Sequence, residues 1–93
     1  MSNKLTKYRS NGIKVIKFNI GNNNYDKTMV FYKSGIPKQE KNYKNGDLNG
    51  NLISYWENGR VHTRGKYEEN HRVGTWETYD EKGKLLLTEE FSK

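Results

Sequence analysis

The chain repeats itself over most of its length, at a fixed interval of about 24 residues, which lies within the range of known repeat architectures. Five sets of positions keep this interval, namely Gly35/Gly59/Gly83, Phe31/Tyr55/Tyr79, Tyr43/Tyr67/Phe91, Gly50/Gly74 and Leu52/Trp76. A more degenerate unit precedes them, in which Tyr8 and Gly12 precede Phe31 and Gly35 by one position less than the full period. We predict one domain over residues 1–93, built from units at approximately 5–27, 28–51, 52–75 and 76–93.

Each unit has the pattern of a β-hairpin. A run such as Leu52 to Trp56 leads into a turn pair, and Asn-Gly between apolar runs favours a type I′ turn. The sequence predicts two-residue turns at Asn11-Gly12, Ser34-Gly35, Asn58-Gly59 and Lys82-Gly83. Polar segments at 21–27, 44–50 and 68–74 are predicted to be longer surface connections between hairpins. The expected fold is all-β, an antiparallel meander of four hairpins in an elongated, twisted single-layer sheet, because the period is too short for a βαβ unit, which needs about 30 residues or more.

The composition by itself points toward disorder. Leu, Ile, Val and Phe account for only 18 of 93 residues, and the net charge is +6. Aromatic residues nevertheless make up 13% of the chain. Since alternate strand residues face opposite sides, Phe31, Tyr55 and Tyr79 are expected on one face, and Leu52 and Trp76 on the other. A one-layer sheet held by tyrosine columns accounts for the low aliphatic content.

Three segments carry a resemblance to a known family. Tyr55-Trp56-Glu57-Asn58-Gly59, Gly65-Lys66-Tyr67 and Gly74-Thr75-Trp76-Glu77-Thr78-Tyr79 resemble MORN repeats, and more closely the bacterial MORN-repeat variant proteins often labelled as antitoxins. The resemblance extends over residues 29–91. Lys41 stands where Gly65 stands one repeat later, and Asp80 where Trp56 would recur, so we expect a less regular sheet there. The resemblance implies a grooved sheet of hairpins that binds proteins, sometimes lipids, without catalysis.

The sequence offers no catalytic or metal-binding set. It has no cysteine and two histidines, with His62 predicted in a strand and His71 in a connection. None of its serines lies in a nucleophile-elbow context, and no phosphate-binding loop is present. We expect no enzyme activity, no cofactor and no metal. With no export signal near the start and no apolar run of about 20 residues, we also expect no membrane association and a cytoplasmic location.

The positive charge is concentrated in the first half. Residues 1–50 hold ten Lys/Arg and three Asp/Glu, whereas residues 51–93 hold seven and eight. This imbalance predicts an acidic partner, although a charged surface also serves solubility alone. Periodic spacing suggests basic rows across the sheet, formed by Lys14, Lys38 and Arg60 and by Lys17, Lys41 and Arg64. The candidate partner-binding residues are Tyr32, Tyr55, Trp56, Lys38, Lys41, Arg60 and Arg64. Alternatively, the aromatics are the core of a thin sheet and the cations its solvated rim.

The leading functional hypothesis is a small inhibitor that neutralises a partner protein through this aromatic and basic face. Its partner would be a toxin, or a nuclease of a host defence system that a phage or mobile element counters, as an anti-CRISPR protein does. The Asn- and Lys-rich composition is typical of an AT-rich bacterial or phage genome. One alternative is a protein that binds nucleic acid or guide RNA through its basic half. Another is a structural repeat protein that dimerises through its edge strands.

Overall fold

The computed structural model describes the backbone of residues 4–10, 13–20 and 25–92, and the side chains of residues 25–92. Eight antiparallel strands form one sheet in the order of the sequence, without a helix in the described residues. The strands are β1 (Lys4–Ser10), β2 (Ile13–Ile20), β3 (Tyr25–Phe31), β4 (Pro37–Lys44), β5 (Asp47–Tyr55), β6 (Val61–Glu68), β7 (His71–Tyr79) and β8 (Leu85–Phe91). The molecule is a slab of 41 × 36 × 20 Å. The predicted fold class, a single-layer meander of four hairpins, is confirmed.

The lengths of the connections are the reverse of the prediction. The segment 44–50 contains only a two-residue turn, because β4 ends at Lys44 and β5 begins at Asp47. Asn45 and Gly46 have φ angles of 52° and 87°, as a type I′ turn requires at both central positions. The segment 68–74 contains the equivalent turn at Glu69 and Asn70, with φ angles of 47° and 69°. Consequently His71, predicted in a connection, is the first residue of β7.

The predicted two-residue turns are five-residue loops. In the loop 56–60, Gly59 donates its N–H to the carbonyl of Trp56 at 2.9 Å, and Trp56 donates to Arg60 at 2.8 Å. Gly59 has a φ of 90°, while Asn58 has no positive φ. The loop is therefore a type I turn with Glu57 and Asn58 at its centre, followed by Gly59 in the left-handed conformation. Loops 32–36 and 80–84 have the same hydrogen bonds. The pair Asn11-Gly12 and residues 21–24 lie outside the described residues.

The strand register sorts the side chains onto two faces as predicted. The Cα pairings place six residues in one row across the sheet, and the adjacent row must face the other side. The first row is Met29, Glu40, Ile53, Arg64, Glu77 and Thr88. The second contains Thr28, Lys41, Leu52 and Gly65. Ile53 and Leu52 therefore lie on opposite faces.

The core is small. Leu52, Val73 and Trp76 are the buried apolar residues among those described, and Trp76, which is 5% exposed, lies on the Leu52 face. The Tyr67 and Phe91 rings each meet Trp76 in a T-shaped arrangement, with centroid distances of 5.2 and 6.3 Å. A single-layer sheet cannot enclose more than this, because each face has only side chains to cover it.

Candidate functional site

The loops of successive hairpins are joined by side chains that bond to the next repeat. The Tyr32 hydroxyl donates to the carbonyl of Tyr55 at 2.7 Å. One repeat later, Nε1 of Trp56 donates to the carbonyl of Tyr79 at 3.1 Å. In both cases the polar atom of an aromatic side chain is satisfied by backbone of the next hairpin. The rings of Tyr32 and Trp56 are therefore fixed in orientation by the repeat itself.

Tyr32 and Trp56 line a shallow cleft of about 360 Å³ on the sheet. The residues around it are Tyr32, Lys38, Gln39, Ser54, Tyr55, Trp56 and His62. Nζ of Lys38 lies 5.6 Å from the centre of the Tyr32 ring, and the His62 ring meets Trp56 edge to face at 4.3 Å. No carboxylate lines this cleft. We call these seven residues the aromatic cleft.

The polar side chains of the aromatic cleft form a small hydrogen-bonded group. Nδ1 of His62 lies 3.3 Å from Oγ of Ser54 and 3.0 Å from Oγ1 of Thr63. These contacts fix the imidazole against the Trp56 ring. A serine and a histidine are thus adjacent, but no Asp or Glu lines the cleft to orient the imidazole as an acid–base partner would require.

The structure brings together four of the seven predicted site residues. Tyr32, Lys38, Tyr55 and Trp56 line the aromatic cleft. Arg60 lies in the adjacent loop, where its Nη1 donates to the carbonyl of Lys82 in the next hairpin. Arg60 therefore serves a contact between repeats like those of Tyr32 and Trp56.

The predicted basic row containing both Lys41 and Arg64 is wrong. Lys41 pairs with Leu52, whereas Arg64 pairs with Ile53 in the adjacent row, so the two cations lie on opposite faces. Both residues lie on the second strand of a hairpin at a similar distance from the loop, which is why they were grouped. The residue one full period after Lys41, however, is Gly65 and not Arg64. A one-residue difference reverses the face of a strand residue.

Arg64 is part of a neutralised cluster on its own face. Nε of Arg64 donates to Oε1 of Glu77 at 2.9 Å, and the Tyr79 hydroxyl donates to the same oxygen at 2.9 Å. The hydrogen bonds from Arg64 and Tyr79 lower the pKa of the Glu77 carboxyl. The same contact with Glu77 raises the pKa of the Arg64 guanidinium. Arg64 borders a separate concavity of about 420 Å³.

Tyr55 links the aromatic cleft to the opposite face. Burial raises the pKa of the Tyr55 phenol, and the nearby Glu40 carboxylate raises it further, while Lys27 lowers it. Glu40 itself forms an ion pair with Lys27 at 3.1 Å. The phenol therefore lies near the Lys27–Glu40 pair and stays protonated at neutral pH.

Two contacts in the second half of the chain were not predicted from the sequence. The Arg72 guanidinium lies 4.9 Å from the Trp76 ring centre and 5.4 Å from that of Phe91. Asn70 binds the preceding turn, donating Nδ2 to Asp47 at 3.0 Å and accepting from the N–H of Leu48 at 2.8 Å. Asn70 follows Asp47 by one position less than the full period. This spacing could have indicated that the two residues lie close together in successive turns.

Within residues 25–92, no group of three or more His, Asp or Glu side chains lies close enough together to hold a metal ion. The same part of the chain has no helix long and apolar enough to cross a membrane.

The geometry defines a class of protein, a repeat module in which stacked β-hairpins present an open sheet. The family described as MORN repeat variant matches residues 27–45 and 72–93. The resemblance to MORN repeats is therefore confirmed over these two stretches. The first stretch covers most of β3 and all of β4, and the second covers nearly all of β7 and all of β8. No protein of curated function and no solved structure matches the chain significantly. The family match supports a repeat-type module that binds proteins or has a structural role.

Proposed function

We propose that the chain is a non-enzymatic inhibitor that binds an acidic surface of a partner protein in its aromatic cleft. The observation that carries the proposal is the pair of rings fixed by the repeat, Tyr32 bonded to Tyr55 and Trp56 bonded to Tyr79. Aromatic residues held in a concave site are the usual hot spots of protein interfaces. Because the rings are already oriented, binding does not have to order them.

The charge of the aromatic cleft favours an acidic group. Lys38 lines it, whereas Asp and Glu do not. Residues 25–92 contain eleven Lys/Arg and eleven Asp/Glu, so the net charge of the chain comes from the five cations of residues 1–24 and from Lys93. The basic strands β1 and β2 precede β3, which leads into the cleft. The basic residues of β1 and β2 would add to the attraction of the chain for an acidic partner.

A protein partner fits this cleft better than a nucleic acid does. Stacking of bases requires free ring faces on the protein. The Tyr32 ring has Lys38 over it, and the Trp56 ring is contacted by His62. Because each ring already has such a neighbour, the cleft suits carboxylates and apolar side chains at its rim. The basic strands β1 and β2 are the feature that favours nucleic acid, and the experiment includes that comparison.

Capture followed by matched charge reversal tests the proposal. A photo-crosslinking residue at Gln39 captures proteins from bacterial extracts, and each captured protein is purified and titrated with the chain. Lys38→Glu is expected to weaken the true complex about tenfold or more, a loss of about 1.4 kcal/mol or more. Lys66→Glu makes the same charge change outside the cleft and should have little effect. Equal affinities for the two variants would show that the cleft is not the binding surface.

Two further measurements separate the kinds of partner. If the partner is a toxin, co-expression of the chain restores growth; if it is a defence nuclease, co-expression abolishes restriction of phage. A short oligonucleotide is titrated in parallel, and nucleic-acid binding would show a steep loss of affinity with salt. Oligonucleotide binding that Lys38→Glu abolishes, with no protein captured, would replace the protein-binding proposal.

A further inference from the structure

The two edges of the sheet differ in their apolar exposure and charge. Because the strand order follows the sequence, β1 and β8 are the edge strands. On β8, Leu85, Leu86 and Leu87 are 47%, 60% and 50% exposed, and they are three of the four exposed large hydrophobic residues among those described. Edge strands are commonly protected by lysine or proline, and β8 contains neither. The strand is therefore an open template for another strand.

The charges of the two edges are complementary. β8 carries two acidic residues and no basic one, with Glu89 and Glu90 near its end. β1 carries three basic residues and no acidic one, namely Lys4, Lys7 and Arg9. A second β8 would bring like charges to the same interface, whereas a β1 strand brings opposite charges. The charge of the β8 edge therefore favours pairing with β1 of another copy over pairing with a second β8.

The repeat supplies the register of such a contact. The last strand of each hairpin pairs with the first strand of the next. Glu40 of β4 pairs with Ile53 of β5, and Arg64 of β6 pairs with Glu77 of β7. Thr88 follows Arg64 by one full period. Thr6 precedes Met29, the equivalent of Ile53 and Glu77, by the shorter interval of the first unit. The same pairing therefore sets Thr88 opposite Thr6 of a second copy and, as Thr63 pairs with Thr78, Leu87 opposite Lys7. The register of the pairing between hairpins shifts just after Arg64, so the acidic residues Glu89 and Glu90 are placed toward the Lys4 end of β1 without an assigned partner.

We propose that copies of this chain join head to tail, with β8 of one copy paired antiparallel to β1 of the next. The contact is heterologous, so each addition leaves a free β1 edge and a free β8 edge. Assembly should therefore continue beyond a dimer as concentration rises. This inference uses the sheet edges and not the aromatic cleft, so Lys38→Glu should assemble like the wild type.

Sedimentation velocity at increasing concentration tests the proposal. The weight-average sedimentation coefficient of the wild type should rise continuously past the dimer value, and less so at high salt. Leu87→Lys puts a cation opposite Lys7 and should weaken association about tenfold or more, because the like charges repel and lysine protects an edge. Asn51→Lys makes the same charge change on an interior strand and should assemble like the wild type. A wild type that stays monomeric at every concentration would overturn the proposal.

Charge exchange distinguishes a head-to-tail contact from a two-fold one. The variant Glu89→Lys/Glu90→Lys and the variant Lys4→Glu/Lys7→Glu should each associate about tenfold more weakly than the wild type. Their mixture restores opposite charges at every contact, so association should recover. In a two-fold β8–β8 contact, the β1 variant would assemble like the wild type, and that result would overturn the proposal. Far-UV circular dichroism and thermal unfolding establish that both variants fold.

Discussion

The indole of Trp76 lies directly over Gly65 of the preceding strand. A Cβ atom at Gly65 would be 2.0 Å from Cδ2 of Trp76, a distance at which two carbon atoms cannot pack. The indole Nε1 donates to the carbonyl of Lys66 at 3.2 Å, which holds the ring in this position. One repeat earlier, Lys41 and Leu52 occupy the equivalent positions and pair with each other. The larger Trp76 therefore faces the small Gly65, whereas the smaller Leu52 faces the long side chain of Lys41.

Replacing Gly65 with alanine should destabilise the fold. The added methyl group forces Trp76 out of its site, and overpacking of this kind costs about 1–3 kcal/mol. Urea denaturation followed by tryptophan fluorescence measures the change. In the double variant Gly65→Ala/Trp76→Leu, the added loss from Gly65→Ala should be much smaller than in the wild type, because leucine leaves room for the methyl group. Strictly additive free energies of unfolding would show that the two side chains do not conflict.

The turn between β6 and β7 offers a stabilising substitution. Glu69 has a φ of 47°, in the left-handed region that asparagine tolerates better than glutamate. Asn45 holds the equivalent position in the preceding turn, with a φ of 52°. Glu69→Asn should raise the thermal midpoint, with a gain of about 0.5–1 kcal/mol, and Asn45→Glu should lower it by a similar amount. The two variants control for each other. If both raised or both lowered the thermal midpoint, backbone strain at positive φ would not explain the effect.

The hydrogen bond from Trp56 to Tyr79 can be removed while an aromatic ring is kept at position 56. Trp56→Phe removes the donor and leaves the Tyr79 carbonyl without this partner, which should cost about 1 kcal/mol of unfolding free energy. Tyr32→Phe removes the corresponding bond to Tyr55 and should cost about the same. Both variants retain an aromatic ring in the cleft, so binding of an identified partner should fall less than with Trp56→Ala. Chemical denaturation and titration of the partner measure the two effects separately.

The sequence was sufficient for the repeat and the sheet, because the columns of aromatic and glycine residues report directly on strand periodicity. It was insufficient for the turns. Asn58-Gly59 and Asn45-Gly46 are the same dipeptide, yet Asn58 lacks the positive φ of Asn45. In the loop 56–60, the Asn58 side chain accepts from the N–H of Arg60 at 2.9 Å and donates to the carbonyl of Glu81. Contacts with the next hairpin, which a single turn does not reveal, fix the longer loop.

Tyr32 and Trp56 were predicted as binding residues because they are aromatic residues beside the expected basic rows, and the structure puts both in one cleft. The role of Arg60 was not predictable, because its contact with Lys82 depends on the stacking of two loops. Asp80 occupies the position of Trp56 one repeat later, and its carboxylate accepts from the N–H groups of Lys82 and Lys84 at 2.8 and 2.9 Å.

The loop 80–84 should make the free energy of unfolding depend on pH. The backbone N–H groups of Lys84 and Lys82 lower the pKa of the Asp80 carboxyl from its ordinary value of 3.8. A carboxyl with a lowered pKa in the folded state stabilises the fold above its unfolded pKa, and this contribution is lost as pH falls through the folded pKa. Asp80→Asn should therefore be less stable than the wild type at neutral pH, and the difference should shrink once the pH falls below about 4. Urea denaturation at a series of pH values measures it, with Glu81→Gln, whose carboxylate makes no hydrogen bond to the described residues of this loop, as the control. A difference between Asp80→Asn and the wild type that stays constant down to the lowest pH would show that the charge of Asp80 does not stabilise the loop.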